Sequence, residues 1–168
     1  LGVALLCWSS LAGADPAARH LTRGAALMKQ GKVDAALSSF SAAIKAAPRD
    51  PRGYYQRGVC KEKKKDAAGA MADYRAAIKL KPAFAEAHNN LGNVYRDQGK
   101  VKQAVGHLEK ATKAKPRYGE AWYNLGLAYY DLRRFKAAAA AYRRAVKIKP
   151  RDPDIRINLG GALLHLKD

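Results

Sequence analysis

The chain has 168 residues, 48% of them hydrophobic and 27% charged, and this length fits a single domain. Its 32 lysines and arginines exceed its 14 aspartates and glutamates, which gives a formal net charge of +18. The prolines and glycines fall at regular joints, and this argues against a disordered chain.

The first fourteen residues differ from everything after them. Leu1 to Leu11 is largely apolar, and Ala12-Gly13-Ala14 follows. This order is typical of the hydrophobic core and cleavage site of a secretory signal peptide. Residues 1–14 are therefore predicted to be a signal peptide, truncated at its start, and the protein to be periplasmic or extracellular. Without a signal it would be cytoplasmic. Two alternatives stay open: the second helix of an earlier helix pair, or an uncleaved membrane anchor.

From residue 17 onward, residue types recur every 34 positions. Alanine keeps this step in two columns, and three further columns hold Pro48, Pro82, Pro116 and Pro150; Gly24, Gly58, Gly92, Gly126 and Gly160; and the large apolar Phe40, Tyr74, Leu108 and Tyr142. Such self-similarity predicts a solenoid of stacked units.

Each period contains two runs with helical spacing. In one unit Trp122, Leu125 and Tyr129 lie three to four residues apart, and a second apolar face runs from 135 to 148. Pro150 ends the second run, because proline lacks an N–H and clashes with the preceding turn. Each unit is therefore predicted to be two helices, and only stacked pairs can bury the apolar faces.

The order of the recurring residue types within each period resembles the tetratricopeptide repeat signature. The resemblance is fullest in Trp122, Leu125, Gly126, Tyr129, Ala138, Tyr142, Ala145 and Pro150. The resemblance implies an all-α fold, a right-handed α–α superhelix with four full repeats plus one extra helix. The repeats are assigned to residues 17–50, 51–84, 85–118 and 119–152. Residues 153–168 are the first helix of a fifth repeat or a capping helix, with Ile155, Leu159, Leu163 and Leu166 as its apolar face.

The first two repeats depart from the signature at positions that are normally apolar. Arg23 and Arg57 occupy the leucine position, and Lys61 occupies the tyrosine position. We expect these two repeats to pack less tightly there.

The resemblance also implies a binding groove, because the first helix of each repeat lines the concave face in this family. Its sixth position carries an amide in most repeats, which resembles the asparagine ladder in the superhelix of O-linked N-acetylglucosamine transferase. An amide both donates and accepts, so it can hold a peptide backbone. The predicted groove for a peptide or protein partner comprises Gln56, Asn89, Asn90, Asn93, Tyr123, Asn124 and Asn158. Alternatively, these asparagines bridge neighbouring helices within the stack.

A second binding pattern of the family, a clamp for a C-terminal carboxylate, is not expected here. The positions for its basic partners hold Asp154 and Asn158. Glu86 and Glu120 also line the predicted groove and would repel a carboxylate.

Lysines recur near the end of each second helix. Cations are favoured there by the helix macrodipole, but stacking would also align them into a basic ridge, separate from the groove, that attracts polyanions such as acidic polysaccharide. Solubility is the plain alternative. The basic ridge comprises Lys45, Lys79, Lys81, Lys113, Lys115, Lys147 and Lys149.

Catalysis finds no support in the sequence. The four histidines, His20, His88, His107 and His165, are too scattered for a metal motif, and no phosphate loop or nucleophile elbow occurs. We therefore predict a non-catalytic interaction scaffold without cofactor, metal or small-molecule substrate. Two alternatives are a self-assembling subunit that stacks head to tail through apolar ends, and polyanion binding through the basic ridge.

Overall fold

The computed structural model describes residues 15–166, and the predictions for residues 1–14 and 167–168 lie outside this range. Within it no helix is long and apolar enough to cross a membrane. The described part is all-α, with helices α1 (Pro16–Lys29), α2 (Val33–Ala46), α3 (Pro51–Lys63), α4 (Ala67–Leu80), α5 (Ala85–Asp97), α6 (Val101–Ala114), α7 (Gly119–Asp131), α8 (Phe135–Ile148) and α9 (Pro153–Leu164).

Aspartates define the start of several helices. Asp15, Asp50 and Asp152 each accept a backbone N–H of the first turn, at the starts of α1, α3 and α9. Proline follows each of them at the first helical position, where its missing N–H costs nothing. Three helix starts therefore coincide with Asp-Pro pairs of the sequence.

The turn inside each helix pair requires one residue with positive φ. Gly31 and Gly99 supply it at φ 74° and 72°, whereas Lys65 and Arg133 adopt 62° and 56° at the equivalent positions. Only glycine reaches this region without steric cost. The second and fourth pairs therefore carry a small backbone strain that the first and third avoid.

The glycine and aromatic columns pack against each other within a pair. A Cβ added to Gly58 would lie 2.7 Å from Cε1 of Tyr74, and Gly126 faces Tyr142 in the same way. Both tyrosines are fully buried. The two helices can approach closely only because the glycine position has no side chain.

An ion cluster replaces the expected apolar contact in the second pair. Arg57 donates from Nε and Nη2 to the carboxylate of Asp73 at 2.9 and 2.7 Å. Nζ of Lys61 lies 2.8 Å from the same carboxylate, and Asp73 is buried, with only 3% exposed. The two departures from the signature in this repeat thus share one partner, Asp73, and the site is filled.

The helices stack in two rows. Each helix packs against the next along the chain, and odd-numbered helices also touch one another, α1 with α3, α5 with α7 and α7 with α9. The odd-numbered helices therefore form the inner, concave row and the even-numbered helices the outer row. This confirms the predicted superhelix of four helix pairs and one further helix.

Candidate binding groove

The asparagines predicted to line the groove divide into two groups. Asn89 and Asn124 are 0% and 7% exposed, and Nδ2 of Asn124 donates to Oδ1 of Asn89 at 2.9 Å. Nδ2 of Asn89 in turn donates to Oδ1 of Asn90 at 3.2 Å. The structure therefore corrects the groove assignment of Asn89 and Asn124: they bridge neighbouring helices, because buried amides need internal partners.

The remaining predicted residues are half-buried on the inner row. Nδ2 of Asn90 donates to the hydroxyl of Tyr74 at 3.3 Å, and Nδ2 of Asn158 donates to the hydroxyl of Tyr123 at 3.1 Å. Oδ1 of Asn93 is buried and accepts no hydrogen bond from any residue that the structure describes. Gln56, also half-buried, lines the cleft between the first helices of the inner row. Gln56, Asn90, Tyr123 and Asn158 are thus only partly covered on the inner row, whereas the side-chain oxygen of Asn93 is enclosed.

A cleft of about 550 Å³ opens between α1, α3 and the start of α5. Its floor is aromatic: the ring centroids of Tyr55 and Phe84 lie 5.0 Å apart at an angle of 44°. Thr22 and Gln56 supply polar groups to its wall. No sequence pattern predicted a role for Phe84, which precedes α5 at the position that aspartate holds before α3 and α9.

Carboxylates recur at one repeat position along the inner row. Glu86, Glu120 and Asp154 occupy equivalent positions on α5, α7 and α9. Burial is the largest single influence on the pKa of Glu86 and raises it, but the hydrogen bond from Nζ of Lys115 at 2.7 Å, a backbone hydrogen bond and the charges of Lys115 and Lys81 together lower this pKa. Glu120 and Asp154 are exposed and form no salt bridge within residues 15–166. The inner row therefore carries unpaired carboxylates on α7 and α9, whereas Arg52 and Lys81 line the cleft at α1, α3 and α5.

The lysines of the basic ridge are all exposed. Two of them border the groove: Lys81 lines the cleft, with Nζ 5.2 Å from the Phe84 ring centroid, and Lys115 reaches Glu86. The other five are Lys45, Lys79, Lys113, Lys147 and Lys149. The expectation that ridge and groove are separate is thus wrong at the two places where Lys81 and Lys115 meet the rim.

Catalysis most often depends on metal-ligating and nucleophilic side chains. No group of three or more histidine, cysteine, aspartate or glutamate side chains among them could hold a metal ion. The thiol of Cys60 is buried, and burial raises its pKa to about 11, so it is protonated at neutral pH. A protonated thiol is a poor nucleophile.

The sequence matches the family model for the tetratricopeptide repeat over residues 21–85 and 89–153. Comparison with curated proteins finds no match. Three similar solved structures are the RS-1 MamA double mutant, PilF of Pseudomonas aeruginosa, and the first TPR of Spaghetti bound to an HSP90 peptide. The MamA structure is 25% identical with a TM-score of 0.80 and covers 92% of this chain and 86% of its own.

PilF is 17% identical with a TM-score of 0.83 and covers 90% of this chain and 69% of its own. The Spaghetti domain is 24% identical with a TM-score of 0.67, and covers 70% of this chain and 93% of its own. At these identities PilF and Spaghetti share the fold with this chain, and the likeness carries no further conclusion.

Proposed function

Because the chain belongs to the tetratricopeptide repeat family, we propose that it is a non-catalytic scaffold that holds an extended peptide segment of a partner protein in its concave groove. The observation that carries this proposal is the open cleft whose floor is Tyr55 and Phe84. A neighbour of the same fold, the first TPR of Spaghetti, was solved with an HSP90 peptide. That complex supports peptide binding as a capacity of the fold.

The charges of the groove indicate the kind of peptide that fits. Glu120 and Asp154 are exposed and unpaired among the described residues, and they would attract lysine or arginine side chains. Tyr55 and Phe84 offer an apolar surface for one large side chain, in a cleft that Arg52 and Lys81 also line. We therefore infer a ligand segment with a bulky apolar residue over the cleft and basic residues toward α7 and α9. An acidic C-terminus of the kind in the HSP90 peptide would be repelled.

A displayed library of random peptides, panned against the full chain, would test this proposal. Enriched peptides should be basic and should bind at least tenfold more weakly to the variants Tyr55→Ala and Glu120→Gln. Gln103→Lys on the exposed face of α6 changes the net charge by the same amount as Glu120→Gln and should leave affinity unchanged. Equal losses in Glu120→Gln and Gln103→Lys would show that net charge, not the groove, binds the peptide.

A second candidate function is polyanion binding through the basic ridge. The exposure of its seven lysines favours it. Binding to heparin should then weaken steeply between low and physiological salt. Replacement of Lys113, Lys147 and Lys149 by glutamine should reduce the retention on a heparin column more than replacement of three exposed cations on α1.

Self-association is a third candidate, through an apolar face on α9. Ile157 and Leu164 are 70% and 64% exposed there. At the other end of the described solenoid, α1 exposes Arg19 and Arg23, so a head-to-tail contact of these two ends would bury arginine against leucine. The apolar face of α9 is better suited to a two-fold dimer, in which the α9 helices of two copies pack together, than to a head-to-tail contact. Sedimentation should show a dimer that Ile157→Lys dissociates, and a monomer at high concentration would eliminate this candidate.

A further inference from the structure

A notch opens on the outer row of the fourth repeat, between α6 and α8 above α7. Its volume is about 370 Å³. Trp122, Leu125 and Tyr129 of α7 form its floor, and Ala141 of α8 forms one wall. It opens on the opposite side from the concave groove, although its floor belongs to α7 of the inner row, and the inference below does not rest on peptide binding in the groove.

In the third repeat a side chain fills the equivalent space. His107 stands at the position equivalent to Ala141, and its ring stacks on Tyr95 with centroids 5.4 Å apart at 20°. Nδ1 of His107 also lies 3.0 Å from Nδ1 of His88, which is equivalent to Trp122. With the imidazole in place, His88 and Tyr95 are only 2% and 6% exposed.

In the fourth repeat the ring is missing and the floor stays uncovered. Trp122 and Tyr129 are half-buried, although His88 and Tyr95 at the equivalent positions are buried. The polar atoms of the floor already have partners, since Nε1 of Trp122 donates to the carbonyl of Pro116 at 2.9 Å. The hydroxyl of Tyr129 donates to Glu109 at 2.5 Å. The floor therefore offers ring surface and no free hydrogen-bonding group.

We propose that this notch receives one aromatic side chain of a partner protein, whose ring takes the place that the His107 imidazole has in the third repeat. Stacked aromatic pairs at this separation are favourable. Glu109 and Arg144 at the rim are exposed and leave charges beside the entering segment. A phenyl or phenol ring suits this floor of ring surface, because stacking needs no hydrogen bond to it.

Two probes test the proposal on the full chain: p-cresol, which matches the tyrosine side chain, and the tripeptide acetyl-Gly-Tyr-Gly-amide. The indole N–H resonance of Trp122, identified with the variant Trp8→Phe, should shift saturably with both. Ala141→His should abolish the shift by filling the notch. Ala72→His, the same change at an exposed alanine of α4, should leave it unchanged.

A second variant keeps the test decisive if Ala141→His does not fold. His107→Ala opens the equivalent space in the third repeat and should add a second saturable site, sensed by Tyr95. No shift of Trp122 with either probe would overturn the proposal. A shift with p-cresol alone would also overturn it, because a partner segment must bring its backbone to the notch.

Discussion

Asn124 donates a hydrogen bond from Nδ2 to Oδ1 of Asn89 at 2.9 Å, across the junction between the third and fourth repeats. Both side chains are buried. Two residues that the sequence placed in a binding groove thus hold neighbouring repeats together.

Truncating one side of this bond should destabilise the stack. Asn124→Ala leaves Oδ1 of Asn89 buried without a partner, and the expected loss in the free energy of unfolding is about 1–3 kcal/mol. Urea titration measures it. Asn158→Ala, which removes a half-buried amide at the equivalent position, should cost about 1 kcal/mol or less. If the two variants lose equal stability, the assigned bridging role is incorrect.

The ion cluster of the second repeat predicts that one substitution lowers the free energy of unfolding and that two further substitutions restore most of it. Asp73→Ala leaves Arg57 and Lys61 without their counterion and should cost about 2–3 kcal/mol, near the lower end for a buried pair because both cations are partly exposed. The triple replacement Arg57→Leu, Lys61→Tyr and Asp73→Ala installs the residues of the fourth repeat and should recover most of that loss. Thermal and urea unfolding would measure both; a triple variant no better than Asp73→Ala would refute the compensation.

The positive φ at Lys65 predicts a stabilising substitution. Lys65→Gly removes the steric cost of the left-handed conformation and should raise the free energy of unfolding by about 1 kcal/mol. The reverse change at the equivalent turn, Gly99→Lys, should lower it by a similar amount. Equal unfolding midpoints for all three proteins would mean that the turn carries no strain.

The His88–His107 pair predicts a loss of stability in mild acid. Burial, then the neighbouring His88, Lys110 and Arg75, lower the pKa of His107 to about 4, whereas an unfolded histidine titrates near 6.5. The unfolded chain therefore binds more protons between these values, and the contribution is complete above pH 6.5 and lost as pH falls toward 4. At pH 5 the expected loss is on the order of 2 kcal/mol.

Unfolding at pH 7 and pH 5 checks this expectation with His107→Ala as the control, since the fourth repeat accepts alanine at the equivalent position. The variant should lose less stability between the two pH values than the unaltered chain. An identical pH dependence would assign the acid sensitivity to other groups.

Much of the fold was predictable because the repeat period reports packing directly. The glycine and aromatic columns are the two sides of one close contact, and Asp-Pro pairs mark helix starts. The burial of Asn89 was not predictable. It adjoins Asn90 along the same helix, and which of two adjacent amides is covered depends on the twist of the stack.

Two other features were not predicted from the sequence, because each joins residues from different columns of the repeat. Asp73 compensates Arg57 and Lys61, and Phe84 completes the cleft with Tyr55. The pairing of Asp73 with Arg57 and Lys61 could have been predicted, since an aspartate at a core position needs a cation nearby. The contact of Phe84 with Tyr55 depends on the path of the chain between two repeats, and the spacing of residues in the sequence does not determine that path.

Binding of a basic, extended peptide by the inner row, over Tyr55 and Phe84, can be tested by hydrogen exchange with and without the tightest peptide from the displayed library. We expect slower exchange in α3, α5 and α7, with α4, α6 and α8 little changed, and loss of that protection in Tyr55→Ala. Protection confined to the even-numbered helices, or unaltered by Tyr55→Ala, would contradict it.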